Sequence, residues 1–271
     1  MIPKNFLLSK LRDPVIAGIT RVERWRRLQL DTFEAMLDKH QSEILDALNS
    51  DLGKPSTEAI FEIIALKQEL SLTKKQLSKW MRPKKIKVPL PLQPAEASVQ
   101  LEPLGCILII GPWNYPFSLT LQPLISALAA GNSAVLKPSE KAPETSKLIA
   151  KIIPEYFSND VIKVIEGDGE VAKALIDKGF DHIFFTGGCA IGQEVMRLAA
   201  NHLTPVTLEL GGQSPAIVAT GADITTTAKR LIWGKSLNAG QTCIAPNHLL
   251  VQKELKEPLI NEAKKTIAEF N

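Results

Sequence analysis

Hydrophobic residues recur at the spacing of an α-helix through the first eighty positions of the chain. The repeat runs through Trp25, Leu28, Leu30, Phe33, Met36 and Leu37, and it resumes over residues 44–48. This spacing predicts amphipathic helices over residues 9–80. The segment D-L-G-K-P at 51–55 interrupts the repeat with a glycine and a proline, so one helix should end there and another should begin near residue 57.

A proline-rich segment follows the predicted helices. V-P-L-P-L-Q-P at 88–94 cannot continue a helix, and its prolines favour a polyproline II or edge-strand conformation. The next residues, A-S-V-Q-L-E at 97–102, alternate between apolar and polar as an exposed strand does. We therefore expect residues 83–103 to form an extended arm that leaves the main body.

From residue 104 onward, apolar runs of strand length alternate with helical segments. The predicted strands lie at 104–110, 133–137, 161–165, 181–185 and 206–210, and the predicted helices at about 116–130, 142–153, 168–178 and 189–201. This order predicts an α/β fold with a doubly wound, Rossmann-like parallel sheet. Ligands of such sheets bind beyond the carboxyl ends of the strands, so the polar and glycine-rich segments after each strand are the first candidates for a site.

Composition allows a large core and argues against a nucleic-acid partner. The chain has 271 residues, of which 45% are hydrophobic, and its 32 Lys and Arg nearly balance 29 Asp and Glu. The basic residues of R-V-E-R-W-R-R at 21–27 mix with an acidic residue in a helical pattern, which favours a solvated helix face. The run R-P-K-K-I-K at 82–87 lies beside prolines and is predicted to be an exposed connector.

The cysteines and the N-terminal residues favour a reducing compartment. Cys106, Cys189 and Cys243 are widely spaced and odd in number, without a CxxC pair or a Cys/His cluster. That pattern predicts neither a zinc site nor a disulfide framework. The first residues do not resemble a signal peptide, and the longest apolar run, at 106–110, is too short to span a membrane. We expect a soluble, cytoplasmic protein without a membrane segment.

Two of the segments after predicted strands could contact a dinucleotide. T-G-G-C-A-I-G-Q at 186–193 ends a strand in glycines and opens a helix, which suits a phosphate group, although a simple turn would have the same sequence. K-P-S-E at 137–140 lies where ribose hydroxyls are bound in a doubly wound sheet. Taken alone, this motif is better explained by Ser139 capping a helix, with Lys137 on the surface.

Two further positions could carry polar catalytic groups. Asn114, within G-P-W-N-Y-P at 111–116, is either a fixed amide donor for an oxyanion or a residue of an Asx-turn. Glu209, within L-E-L-G-G at 208–212, is a carboxylate in an apolar strand. If it is buried, its pKa rises toward the range useful to a general base, and the alternative is an exposed strand residue.

The cysteines differ in their surroundings. Cys243 lies among small and polar residues in N-A-G-Q-T-C-I-A-P-N at 238–247, and it could be a packed thiol, a metal ligand or a nucleophile. Cys106 begins an apolar strand and is predicted to be packed. Cys189 lies in the glycine turn and is predicted to have no role.

Together these motifs resemble those of aldehyde dehydrogenases, and in particular the class 3-like branch that includes fatty aldehyde dehydrogenases. G-P-W-N-Y-P-F, G-N-S-A-V-L-K-P-S-E, F-F-T-G-G, L-E-L-G-G-Q-S-P and N-A-G-Q-T-C-I-A-P occur in the order of that family and at about its spacing. The resemblance implies that Cys243 is the nucleophile and that the Asn114 amide holds the oxyanion. It also implies that Glu209 activates the water that hydrolyses the thioester, and that no metal takes part.

The resemblance also implies a cofactor, NAD or NADP, and a division of the chain. Lys137 and Glu140 would contact the adenosine ribose, and Thr186, Gly187 and Gly188 would lie near the pyrophosphate. Trp113 and Gly211 would be further cofactor contacts, Lys235 would be a polar group near the site, and Gly240 would lie where the backbone approaches closely. Residues 1–82 and 104–207 would form the NAD(P)-binding domain, 83–103 an arm that bridges to a partner subunit, and 208–271 the first part of an α/β catalytic domain.

By the same resemblance, the substrate is a small-molecule aldehyde, medium- or long-chain aliphatic or aromatic, and the full-length relative is a homodimer. The family's catalytic domain continues for well over a hundred residues beyond such a cysteine, so we expect this chain to be a fragment. Two alternatives stay open. The chain could be a catalytically impaired cofactor-binding remnant, or an acylating relative in which coenzyme A or phosphate takes the acyl group.

Overall fold

The computed structural model describes residues 2–3 and 6–270. The chain divides into two compact units, residues 1–209 and 210–271. This boundary lies close to residue 207, where the sequence analysis ends the cofactor-binding region. The functions assigned to the two regions remain predictions.

The first unit opens with helices, as the periodicity predicted. They are α1 (Leu8–Ile16), α2 (Glu23–Lys39), α3 (Gln41–Leu52) and α4 (Ser56–Trp80). The helix α3 ends because Gly53 adopts a left-handed conformation with φ +65°, which glycine tolerates at a C-cap. Pro55 is extended and precedes α4. The break predicted at 51–55 is confirmed.

The arm folds as a small antiparallel ribbon whose residues are largely exposed. Its strands are β1 (Lys84–Ile86) and β2 (Ala97–Val99), with Lys84 opposite Val99. The basic run at 82–87 is exposed as expected, but it forms a strand and not a connector. Between the strands, Leu90–Leu92 form a 3-10 turn where we expected polyproline II or strand. Proline has a φ that suits both conformations, so the proline content did not distinguish them.

A five-stranded sheet forms the centre of the first unit, in the order β5-β4-β3-β6-β7. The strands are β3 (Cys106–Ile110), β4 (Ser133–Lys137), β5 (Ile162–Val164), β6 (His182–Gly187) and β7 (Val206–Leu210). β3 pairs with β4 and with β6 in parallel, and β4 pairs with β5 in parallel. The intervening helices are α5 (Ser118–Ala129), α6 (Pro143–Tyr156), α7 (Gly169–Ile176) and α8 (Cys189–Ala200). The predicted α/β fold with a parallel sheet is confirmed.

The core of the first unit lies between this sheet and the helices. Every residue of β3 and of β4 is buried, as is typical of strands covered on both faces. The helices contribute Leu30, Phe33, Leu66, Leu70, Leu121 and Leu124 to the same cluster.

Arg26 departs from the solvated face predicted for residues 21–27. Its side chain is 6% exposed and donates to the carbonyl oxygens of Thr20 and Ala129, each at 3.0 Å. Ala129 is the last residue of α5, so the guanidinium satisfies a carbonyl that a helix end leaves without an intrahelical partner. The charge pattern could not reveal this partner, which lies 103 residues away along the chain.

The second unit pairs two short strands with two helices. β8 (Pro215–Val218) and β9 (His248–Val251) are parallel, and α9 (Ile224–Ser236) and α10 (Lys253–Phe270) pack with them. Asp223 caps α9 by accepting from the Thr226 N–H at 2.7 Å. Val218, Ala228 and Leu259 form the buried cluster. Across the helices that the structure describes, none is long and apolar enough to cross a membrane.

The burial of β3 predicts a large loss of stability on truncation there. Leu108 is fully buried in the central strand, whereas Leu28 on α2 is 59% exposed. We expect Leu108→Ala to lower the free energy of unfolding by about 2–5 kcal/mol, because the deletion leaves a cavity. Leu28→Ala should change it by no more than about 0.5 kcal/mol. Denaturant unfolding of both variants checks this, and equal losses would contradict the core described here.

Candidate active site

Parallel pairing brings three of the predicted site segments to one edge of the sheet. In the register, Ile110 of β3 lies opposite both Lys137 of β4 and Phe185 of β6. The segments that follow these strands begin at residues 111, 138 and 188 and leave the sheet at its carboxyl edge. This is the edge at which open α/β sheets bind ligands.

The segment after β3 approaches α5 closely. Gly111 donates its N–H to the Lys137 carbonyl at 3.0 Å, and a Cβ built on it would lie 1.9 Å from the Thr120 hydroxyl oxygen. Only glycine therefore allows the chain to turn here against the helix. Beyond the turn, Asn114 is half-buried and Trp113 is 38% exposed.

The segment after β4 holds a buried lysine in an ion pair. Lys137 is 3% exposed, and its Nζ donates to Glu140 Oε2 at 2.5 Å. Burial would raise the pKa of Glu140, but the hydrogen bond and charge of Lys137 outweigh it, so the pKa is lowered. The reading that K-P-S-E is a helix cap with a surface lysine is wrong, because α6 begins at Pro143 and Ser139 is itself buried.

The segment after β6 opens a helix with glycine at its N-cap. β6 ends at Gly187, Gly188 is extended, and α8 begins at Cys189. Glycine has no side chain with which to cap the helix, so the first N–H groups of α8 need other partners. Apart from its neighbours in the chain, no atom that the structure describes lies within 4 Å of a Cβ built on Gly188. Thr186 and Gly187 are half-buried just before this helix N-terminus.

Glu209 is exposed, so the possibility that it is buried within an apolar strand is not the one observed. β7 is the last strand in the order of its sheet, and its other residues are only half-buried. An edge strand does not enclose its side chains on both sides, which explains why an apolar sequence did not imply burial here. The alternative of an exposed strand carboxylate is the one observed.

Cys243, in the second unit, is exposed and lies in a turn. Three successive residues before it adopt positive φ, namely Asn238 (53°), Ala239 (52°) and Gly240 (73°). For Asn and Ala this backbone is rarely populated and costs free energy. The Asn238 and Gln241 side chains hold the turn by donating to each other's carbonyl oxygens, at 3.3 and 3.1 Å.

The carbonyl of Cys243 has two neighbours that the sequence analysis missed. Ser214 Oγ donates to it at 3.2 Å, and a Cβ built on Gly212 would lie 2.8 Å from it. Within the described part of the chain, no atom lies within 4 Å of a Cβ built on Gly211, the glycine singled out from the sequence. The G-G doublet marks both glycines as candidates for a close backbone approach, but the sequence does not show that Gly212 is the one beside the Cys243 carbonyl. Gly240 packs against Lys235, whose Cε would be 2.9 Å from a built Cβ.

The predicted residues therefore divide between the two units. The first holds Trp113, Asn114, Lys137, Glu140, Thr186, Gly187, Gly188 and Glu209, and the second holds Gly211 and Cys243. A cluster of His, Cys, Asp and Glu that could hold a metal ion is absent from residues 2–3 and 6–270.

Comparison with known proteins identifies related sequences and folds. The model of the aldehyde dehydrogenase family matches residues 19–271. Aldehyde dehydrogenase family 3 member H1 of Arabidopsis thaliana is 42% identical over 266 residues, which cover 97% of this chain and 55% of that protein. The substrate-bound structure of AldH from Staphylococcus aureus has a TM-score of 0.93 at 40% identity and covers 97% of this chain and 57% of that one.

A third relative was solved with a cofactor. The indole-3-acetaldehyde dehydrogenase of P. syringae, in complex with NAD+ and IAA, has a TM-score of 0.86 at 29% identity. The match covers 96% of this chain and 54% of that protein. The chain thus spans about half the length of the relatives it matches.

The three cysteines should differ in reactivity. Burial raises the pKa of the Cys106 thiol to about 12, whereas Cys189 and Cys243 are exposed. We therefore expect iodoacetamide at pH 8 to alkylate Cys189 and Cys243 in the folded chain and to spare Cys106. Peptide mass spectrometry measures the labelling, and the denatured chain, labelled at all three, is the control. Rapid labelling of Cys106 before unfolding would contradict its placement in β3.

Proposed function

Because this chain belongs to the aldehyde dehydrogenase family, we propose that it oxidises an aldehyde to a carboxylic acid with NAD or NADP. The family match across residues 19–271 carries the proposal, since that range includes Asn114, Glu209 and Cys243. The chain spans about 55% of the Arabidopsis relative, so activity of this chain is itself part of the proposal.

Cys243 is proposed as the nucleophile. Its thiol is exposed, and its backbone is fixed by the Ser214 hydrogen bond and by the turn at 238–240. The thiolate forms a bond to the aldehyde carbon, and the carbonyl π electrons move to oxygen to give a thiohemiacetal anion. The Asn114 side-chain amide and the Cys243 N–H would donate to that oxygen, and such fixed donors stabilise charge as it develops.

Bound NAD or NADP would supply the acceptor for the hydride of the former aldehyde carbon, and loss of that hydride would leave Cys243 carrying a thioester. Glu209 then removes a proton from water. The water oxygen adds to the thioester carbonyl, the carbon–sulfur bond breaks, and the acid and the Cys243 thiolate are released. The exposure of Glu209 supports this role, because a base that activates water needs access to it.

The residues at the carboxyl edge fit a dinucleotide. The N-terminus of α8 carries partial positive charge suited to a pyrophosphate, and Gly188 leaves space for it. Lys137 and Glu140 together offer a donor and an acceptor, the groups that ribose hydroxyls require. Trp113 and Gly211 are proposed as further contacts. Residues 1–82 and 104–207 would accordingly form the cofactor-binding domain, and 208–271 would begin the catalytic one.

The substrate and the partner are inferred from the family. We propose a medium- or long-chain aliphatic or an aromatic aldehyde, and a homodimer bridged by the arm at 83–103. The exposure of Leu90 and Leu92, at 81% and 66%, supports a partner for the arm. An acylating reaction is less well supported, because transfer to coenzyme A or phosphate does not need the water-activating carboxylate of Glu209. A cytoplasmic location stays a prediction.

The role of Glu209 predicts a burst. With Glu209→Gln, the first turnover should yield about one equivalent of reduced cofactor per chain, and later turnovers should slow by about 10²-fold or more, because hydrolysis of the thioester loses its base. Stopped-flow absorbance of the reduced nicotinamide, with a medium-chain aldehyde and either cofactor, measures both phases.

Cys243→Ala is the control and should abolish both phases. Loss of the burst in Glu209→Gln as well would contradict the deacylation role. If the wild-type chain binds cofactor but reduces none, it acts as a cofactor-binding remnant and the proposed activity is wrong for this chain.

A further inference from the structure

The segment that carries Asn114 is held by a buried ion pair from the N-terminal helices. Lys54 follows α3 and Glu62 lies in α4, and their side chains are 3% and 1% exposed. Lys54 Nζ donates to Glu62 Oε1 at 2.6 Å. Two charges this deeply buried need several partners to offset the loss of hydration.

Both side chains of the pair also contact the segment that carries Asn114. Lys54 Nζ donates to the backbone oxygen of Asn114 at 3.1 Å and lies 4.2 Å from the centre of the Tyr115 ring. Glu62 Oε2 accepts from the N–H groups of Phe117 and Ser118, at 3.1 and 2.8 Å. The pair therefore contacts this segment on both sides of its proline, Pro116.

Glu62 also substitutes for a missing helix cap. α5 begins at Ser118, and its N-cap residue is Phe117, whose apolar side chain cannot accept a hydrogen bond. The carboxylate of another helix supplies the acceptor, and a negative charge at a helix N-terminus is favourable. The start of α5 is thus fixed by α4, and with it the end of the segment that leaves β3.

We infer that Lys54 and Glu62 are positioning residues for the Asn114 amide. Charges inside the protein act more strongly than in water, so the pair can fix the backbone at Asn114 and at Ser118 without touching the substrate. An oxyanion donor is effective only when it is held in place before charge develops. The inference rests on the proposed function, in which Asn114 is that donor.

Amide hydrogen exchange tests directly whether Lys54 and Glu62 hold the backbone of the Asn114 segment, and it does not require enzyme turnover. The variants are Lys54→Met, Glu62→Gln and the double variant, which removes both charges and should restore the melting temperature lost by either single change. In each, exchange over residues 112–119 should be about tenfold faster or more than in the wild type, while exchange in β3 stays unchanged.

Arg12→Met is the matched control. Arg12 pairs with Asp181 at 2.8 Å, and Asp181 accepts from the Cys106 N–H, so this ion pair holds the opposite end of β3. The control should speed exchange near Cys106 and leave 112–119 unchanged. Unchanged exchange at 112–119 in all three pair variants, or a uniform rise across the first unit, would overturn the inference.

Steady-state kinetics then test whether the restraint by Lys54 and Glu62 acts on the reaction through the Asn114 side chain. Lys54→Met should lower kcat about tenfold or more and leave the KM for cofactor within about twofold, because only a transition-state contact is disturbed. In an Asn114→Ala background the same change should lower kcat by less than about twofold.

A full tenfold loss in that background would overturn the positioning role. If the wild-type chain makes no reduced cofactor, the proposed function fails for this chain. The exchange profile still decides whether Lys54 and Glu62 hold the Asn114 segment.

Discussion

The parallel pairing of β3 with β4 and β6 is the constraint on which the first unit depends. Residues 107–110 of β3 pair with β4 on one side and with β6 on the other, so the register of the three strands is fixed together. Parallel strands end at the same edge of the sheet. The strand pairing is therefore enough to bring the polar segments after β3, β4 and β6 to that edge. The same pairing forces Gly111 close to α5, where a larger residue would meet Thr120.

Local sequence patterns predicted the helices and strands. The burial of individual side chains depends on residues far away in the chain, so the same patterns did not predict it. The strands at 133–137 and 206–210 were predicted with the bounds that the structure gives them, because a short apolar run between turn residues marks a strand. Lys137 looked like a surface lysine, since the sequence does not reveal that its strand is covered on both faces. Glu209 differs in the opposite direction: its apolar strand suggested burial, but the side chain is exposed because the strand lies at the edge of the sheet.

The buried ion pair of Lys54 and Glu62 was not predicted for the same reason, namely that its partners are distant in the chain. The two residues lie 8 positions apart, but the hydrogen-bond partners of the pair near Asn114 are 55 to 60 positions further along the chain. A lysine beside a glycine and a proline is ordinarily an exposed turn residue, so composition and spacing favour the wrong environment. The sequence did not predict the positive φ values at 238–240 either. Asn and Gly tolerate a left-handed conformation, but N-A-G does not require it. Next to Asn114 the backbone is held by contacts from distant helices. The turn at 238–240 is held by side chains only three residues apart, and the distant contact there is the Ser214 hydrogen bond to the Cys243 carbonyl.

The proposed mechanism requires Cys243 to carry the acyl group during the reaction. Acid quenching of the wild-type chain during turnover, followed by digestion and mass spectrometry, measures which peptide gains an acyl mass. We expect the peptide with Cys243 to gain it, and the gain to need both the aldehyde and the oxidised cofactor. Formation of reduced cofactor without an acyl group on Cys243, or with the group on Cys189, would show that Cys243 is not the nucleophile.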